Sequence, residues 1–143
     1  LTSKITGGSC KVLKGTEHFH GKQGLDYGGV ISAESVGSQA ICMHLVTIPP
    51  QTRANAHLHE DHETAIYVIS GKAAMWYGEN LEEHMETVAG DFVYIPPGVP
   101  HLPYNPDHET PTKAVLARTD PNEQESVIMR PDLDNVHDLG LPA

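Results

Sequence analysis

With 143 residues the chain is long enough for one domain with a real core and short for two. Nine Lys and Arg against nineteen Asp and Glu give a formal charge of -10, a field that repels phosphate backbones and anionic lipid. Nucleic acid and membrane are thereby set aside as partners, and a small molecule or another protein is expected.

Residues 1–28 are polar and glycine-rich and read as an extended arm that buries little by itself. From Val30, strand-like runs recur between Gly and Pro punctuators: GGVISAES, AICMHLVTI, TAIYVIS, KAAMWY, METV, DFVYI and KAVLAR. They assign residues 30–118 to a β core. Residues 119–143 follow as a C-terminal segment with one short strand around Ser126 to Met129 and an acidic, proline-bearing tail. Short strands at this spacing predict an all-β sandwich or barrel in one domain. The apolar runs are strand-sized and the start LTSKITGGSC lacks an apolar leader region, so no membrane span and a cytoplasmic location are expected. Cys10 and Cys42 form no CxxC pair and read as free thiols.

The stretch HLHEDHE, residues 57–63, carries the chemistry. In an extended chain, side chains at i and i+2 share a face, so His57 and His59 can reach one ion. His62 and Glu63 are local candidates for a further ligand. His101, after the Pro96-Pro97-Gly98 turn that ends DFVYI, is a distant one. His18-Phe19-His20 is also an HxH triplet, but it lies between Gly15 and Gly21 with no strand after it and is read as surface.

Two segments together resemble the paired motifs of the cupin superfamily. HLHEDHETAIYVISG is similar to the first motif. GDFVYIPPGVPHLPYN is similar to the second, with Gly90, Pro96, Gly98, His101 and Asn105 at its marked positions. Eighteen residues separate Gly71 from Gly90, as suits a small cupin. The resemblance covers roughly residues 40 to 118 and implies a double-stranded β-helix, two antiparallel sheets curled into a barrel with a metal at its open end. Gly71, Gly90 and Gly98 are then turn positions, and Asn105 a residue that satisfies backbone groups.

The first motif departs from the pattern at its glutamate. Counted back from Gly71, that place holds Thr64; counted forward from His59, it holds Glu63. Strand parity links Thr64 to His62 and puts Glu63 on the other face unless a bulge intervenes. The expected site is therefore His57, His59, His62 and His101, with Glu63 as the competing ligand. Four neutral imidazoles suit a divalent transition metal, Zn first, with Fe or Ni as alternatives. Glu60 and Asp61 read as solvated loop residues.

The histidine in place of glutamate, the long arm and the tail look similar to cupin-type aromatic polyketide cyclases. That likeness implies a Lewis-acid metal holding an enolate oxygen of a poly-β-ketone during an aldol-type ring closure. A metal-bound water or a histidine then supplies the base, and His44, on CMHLVTI, is the candidate histidine, or else a packed strand residue. The alternatives are an Fe or Ni dioxygenase acting on an enolic substrate, and a small-molecule-binding cupin without turnover. Because the arm before Val30 lacks cover of its own, a homodimer with the arm lying on the neighbour is expected.

Overall fold

The computed structural model describes residues 8–15, 18–122 and 126–141, without the side chains of His18 and Phe19. Residues 1–7 of the arm and part of the C-terminal segment lie outside that description.

Among the described residues twelve strands run β1 His18–His20, β2 Asp26–Ile31, β3 Cys42–Ile48, β4 Thr52–Arg53, β5 His57–His59, β6 Thr64–Ser70, β7 Lys72–Tyr77, β8 Glu83–Val88, β9 Phe92–Ile95, β10 His101–Asn105, β11 Thr112–Arg118 and β12 Val127–Met129. They form two sheets. The first has the order β1-β2-β3-β11-β6-β9; the second has β12-β5-β10-β7-β8, with β4 also paired to β10. Every pairing is antiparallel. The architecture is the all-β double-stranded helix expected from the motifs.

Alternation decides which side chains meet inside. On β3, Cys42, His44, Val46 and Ile48 are buried, whereas Met43 and Leu45 are exposed. On β11, Thr112, Ala114, Leu116 and Arg118 are the buried set. Leu25, Tyr27, Val46, Ile48, Ala54, Ala114 and Leu116 form one core cluster, with Ile66 packed against it. Burying its Leu, Val and Ile side chains is worth about 1.5–3 kcal/mol each.

Gly71 shows how tightly β6 turns into β7. Its φ is 79°, in the region where a Cβ is disfavoured, and a Cβ added there would sit 2.4 Å from the Pro111 carbonyl oxygen. Asn105, fully buried, donates to the Ile48 and Thr110 carbonyls and accepts from the Asp107 amide. It satisfies backbone, as expected of its motif position.

Three departures from the sequence reading have physical causes. GGVISAES does not continue as a strand: Ser32 and Ser35 form a capping box, and a single helical turn, Ala33–Val36, runs to Gly37 at φ 75°. From Gly21 onward the arm finds cover in its own chain, whereas residues 8–15 are exposed. β2 pairs with β3, and Gln23, Leu25 and Tyr27 are buried, because alternate residues from Gln23 onward point inward, an alternation that its polar composition disguises. The tail is likewise a cover. Leu133 packs in a second apolar cluster with Ala56, Ala74, Leu81, Leu102 and Tyr104, joined by Trp76, Leu139 and Leu141, and His137 stacks on Trp76 at a ring separation of 3.6 Å.

Candidate metal centre

His57 and His101 lie directly opposite each other on β5 and β10, and His59 follows His57 by two positions on the same face. That register alone converges three imidazoles. Their ring centroids are 4.3 Å (His57 to His101), 5.1 Å (His57 to His59) and 5.4 Å (His59 to His101) apart. One ligand nitrogen from each lies within 4.8 Å of the others. All three are buried. The Pro96-Pro97-Gly98 turn is tied to the same place, as the Gly98 amide donates to the His59 carbonyl.

The hydrogen bonds set the tautomers of two rings. His57 Nδ1 lies 2.7 Å from the Asn55 carbonyl oxygen and His101 Nδ1 lies 3.0 Å from that of Val99. A carbonyl only accepts, so each Nδ1 carries the proton and each Nε2 keeps its lone pair. His59 Nδ1 is buried with no hydrogen-bond partner among the described residues. Burial, opposed by the bond to Val99, pushes His101 down to about 4. Burial also drives His57 and His59 well below the ordinary histidine value, with the neighbouring His101 acting next on His57 and the Arg118 guanidinium next on His59. Three neutral nitrogen donors with open lone pairs, one of them orphaned, fit a divalent transition metal.

His62 stands apart from this trio, which corrects the four-histidine expectation. Asp61 has φ 62°, so the chain leaves the extended conformation between His59 and Thr64, and parity no longer carries across the turn. His62 turns to Asp120, with Nε2 3.8 Å from Oδ2. Glu63 is outward as well: its Oε1 accepts from the Tyr94 hydroxyl at 2.8 Å. Thr64 takes the inward position, buried beside the trio. His44 is inward and buried, its ring edge-on to Tyr27 at 4.8 Å. It is not among the side chains that line the cavity. His20 is on the surface beside Asp26.

The trio closes one part of an apolar cavity between the sheets. Its wall includes Val46, Ile66, Val68, Met75 and Leu116, and its polar groups include Gln23, Thr64, Thr112 and Arg118. The volume open to the centres of water-sized molecules is about 90 Å³, several times the roughly 10–15 Å³ that one water needs. Arg118 is the residue that the sequence reading missed. Its place at the inward parity of TKAVLAR was the available signal, since an inward charge on a core strand needs a reason. Arg118 is only 2% exposed, and its Nε donates to Thr64 Oγ1 at 3.1 Å.

Comparison with known proteins agrees with this architecture. A family model described as "Cupin domain" matches residues 44–117. Oxalate decarboxylase of Bacillus subtilis, in its S161A form, superposes with TM-score 0.66 at 22% identity, over 80% of this chain and 30% of that one. The Lactobacillus farciminis oxalate decarboxylase formate complex gives TM-score 0.65 at 22% identity, over 82% and 33%. A further Bacillus subtilis oxalate decarboxylase structure, whose Mn(II) centres are its subject, gives 0.64 at 21%, over 83% and 30%. The chain thus spans about a third of the length of these structures. No curated protein sequence matches it.

Proposed function

The chain belongs to the cupin domain family, and on that premise we propose that it is a metal-dependent enzyme of enolate chemistry, a polyketide cyclase that closes a ring of a poly-β-ketone by an aldol-type step. The observation that carries the reading is the trio His57, His59 and His101, three neutral imidazoles on one face. Three protein ligands leave coordination positions for a substrate, as catalytic rather than structural sites do.

A divalent ion held by the trio, Zn in our proposal, supplies Lewis acidity toward a carbonyl or enolate oxygen. The chain's own residues do the rest. Asn55 and Val99 hold two rings in the ligating tautomer. The apolar wall excludes water and strengthens every charge interaction inside.

The reading is tested by supplying zinc-loaded protein with a synthetic poly-β-ketone thioester and following the absorbance of the aromatic product. We expect ring formation that is lost in His101→Ala. Oxygen consumption in step with substrate loss on iron-loaded protein, without ring formation, would instead establish the dioxygenase.

We also propose a homodimer, with the outer face of the first sheet as its contact surface. The register places Leu45, Val115, Tyr67 and Phe92 in one transverse row and Met43, Ala117, Ala65 and Tyr94 in the next. Met43, Leu45, Tyr67, Phe92 and Tyr94 are exposed, Phe92 to 82%. A continuous apolar patch of this kind suits a two-fold contact with a second copy.

A further inference from the structure

The wall of the metal cavity is not closed evenly. Every described lining residue on β2, β3, β5 and β11 is buried, whereas Ile66, Ala73, Met85, Thr87, Val93 and Pro103 are half-buried although they face inward. These six sit on β6 to β10, and β8 and β9 are the end strands of the two sheets. Only residues 89–91 join β8 to β9, so both ends lie on the same side of the sandwich. Among the described residues β8 pairs only with β7, and β9 only with β6. The main chain thus leaves a slot between β8 and β9. One end of it is tied by the 89–91 turn, where the Gly90 amide donates to the Val68 carbonyl. The other end reaches the level of the histidine trio, because Glu83 pairs with Tyr77 and Tyr77 with His101.

Side chains decide what passes between the two strands. Met85 stands directly opposite Met75, Thr87 opposite Ala73, and Val93 opposite Ile66. Residues directly opposite project from the same face, so Met85, Thr87 and Val93 form the inner edges of the slot, and all three line the cavity. None carries a charge. Met85 is the longest of them, and an unbranched thioether with three rotatable bonds yields to a passing molecule more readily than a branched or aromatic side chain. We propose that this slot is the entrance to the metal cavity and that Met85 sets its width, so that unbranched ketone or enolate chains are admitted and branched ones are refused. The substrate class rests on the enzyme reading above; the entrance itself does not.

The test is stopped-flow mixing of cobalt(II)-loaded protein, whose visible absorption reports a new oxygen ligand, with two β-diketones: acetylacetone and dipivaloylmethane, which carries tert-butyl ends. Acetylacetone is expected to associate with the wild type about tenfold faster than dipivaloylmethane. Met85→Ala is expected to speed dipivaloylmethane about tenfold and to leave acetylacetone within about twofold. Met85→Trp is expected to slow association and dissociation of acetylacetone together, each about tenfold, with Kd kept within about threefold. A residue that only touched the bound ligand or supported the fold would not move both rates in step. Val93→Trp, on the opposite edge, is expected to do the same, so the test survives if Met85→Trp fails to fold. Equal association of the two diketones with the wild type, or unchanged rates in the folded Trp variants, would overturn the proposal. If the chain takes up no cobalt, the metal reading falls and the entrance is tested on metal-free protein. Carbethoxylation of His57, His59 and His101 by diethyl pyrocarbonate, followed by mass spectrometry, is then expected to slow about fivefold in both Trp variants. An unchanged rate there would overturn the entrance as well.

Discussion

The imidazoles of His57, His59 and His101 are neutral because the fold buries them, and this ties the site to stability. His44 behaves alike, pushed down to about 4 by burial and then by Arg118. Each native value lies below that of the unfolded chain, so stability is fully present above pH 6.5. It is lost as the pH falls, because the unfolded chain then binds protons that the native state refuses. Metal-free protein should lose roughly 1.4 kcal/mol per pH unit for each such histidine between about pH 6 and 4.5. Urea unfolding across that range measures it; His44→Phe, which alters no member of the trio, should reduce the slope by one proton. A flat profile would contradict the account. At this scale the sequence was readable where neighbours were in register: i and i+2 for His57 and His59, and the second motif for His101. It misled at His62, because one residue with positive φ, Asp61, reset the parity, and no spacing rule reports such a residue.

Among elements, β3, β6, β7 and β11 were legible because each alternates or ends at a glycine or proline. The flanking pieces were hidden by polarity. β1 is only three residues long, β2 carries Asp26 and two glycines, and the tail's leucines are too sparse to show a period. Two outcomes follow from the packing. Gly71→Ala places a Cβ against the Pro111 carbonyl in a left-handed backbone, and should cost at least about 2 kcal/mol in urea unfolding, given about 1–3 for the conformation alone. Leu133→Ala, in the cover over Leu102 and Tyr104, should cost about 2–5 kcal/mol. A cost below about 1 kcal/mol at Leu133 would mean that the tail does not stabilise the barrel.

As a whole molecule, the two sheets differ in how their outer faces are covered. The second sheet wears the C-terminal segment, with Leu133, Leu139 and Leu141 over Trp76 and Leu102. The first carries its exposed row of Leu45, Tyr67 and Phe92. The homodimer proposal is accordingly tested on that face. Sedimentation should give a dimer for the wild type and a monomer for a Tyr67→Asp, Phe92→Asp double variant; a wild-type monomer at all accessible concentrations would remove the proposal. The all-β class came from short strand runs between Gly and Pro punctuators, and the double-stranded helix and its site from two short motifs whose strands must lie side by side. The partner surface did not, because outward alternation looks the same whether a strand faces water or another chain.

The central claim is that one divalent ion sits on His57, His59 and His101. Elemental analysis of the purified protein beside His101→Ala, His62→Ala and Glu63→Ala tests it most directly. One ion per chain in the wild type, lost with His101→Ala and kept in the other two, is the predicted result. Equal metal content in the wild type and His101→Ala, or an ion lost with His62→Ala alone, would contradict it.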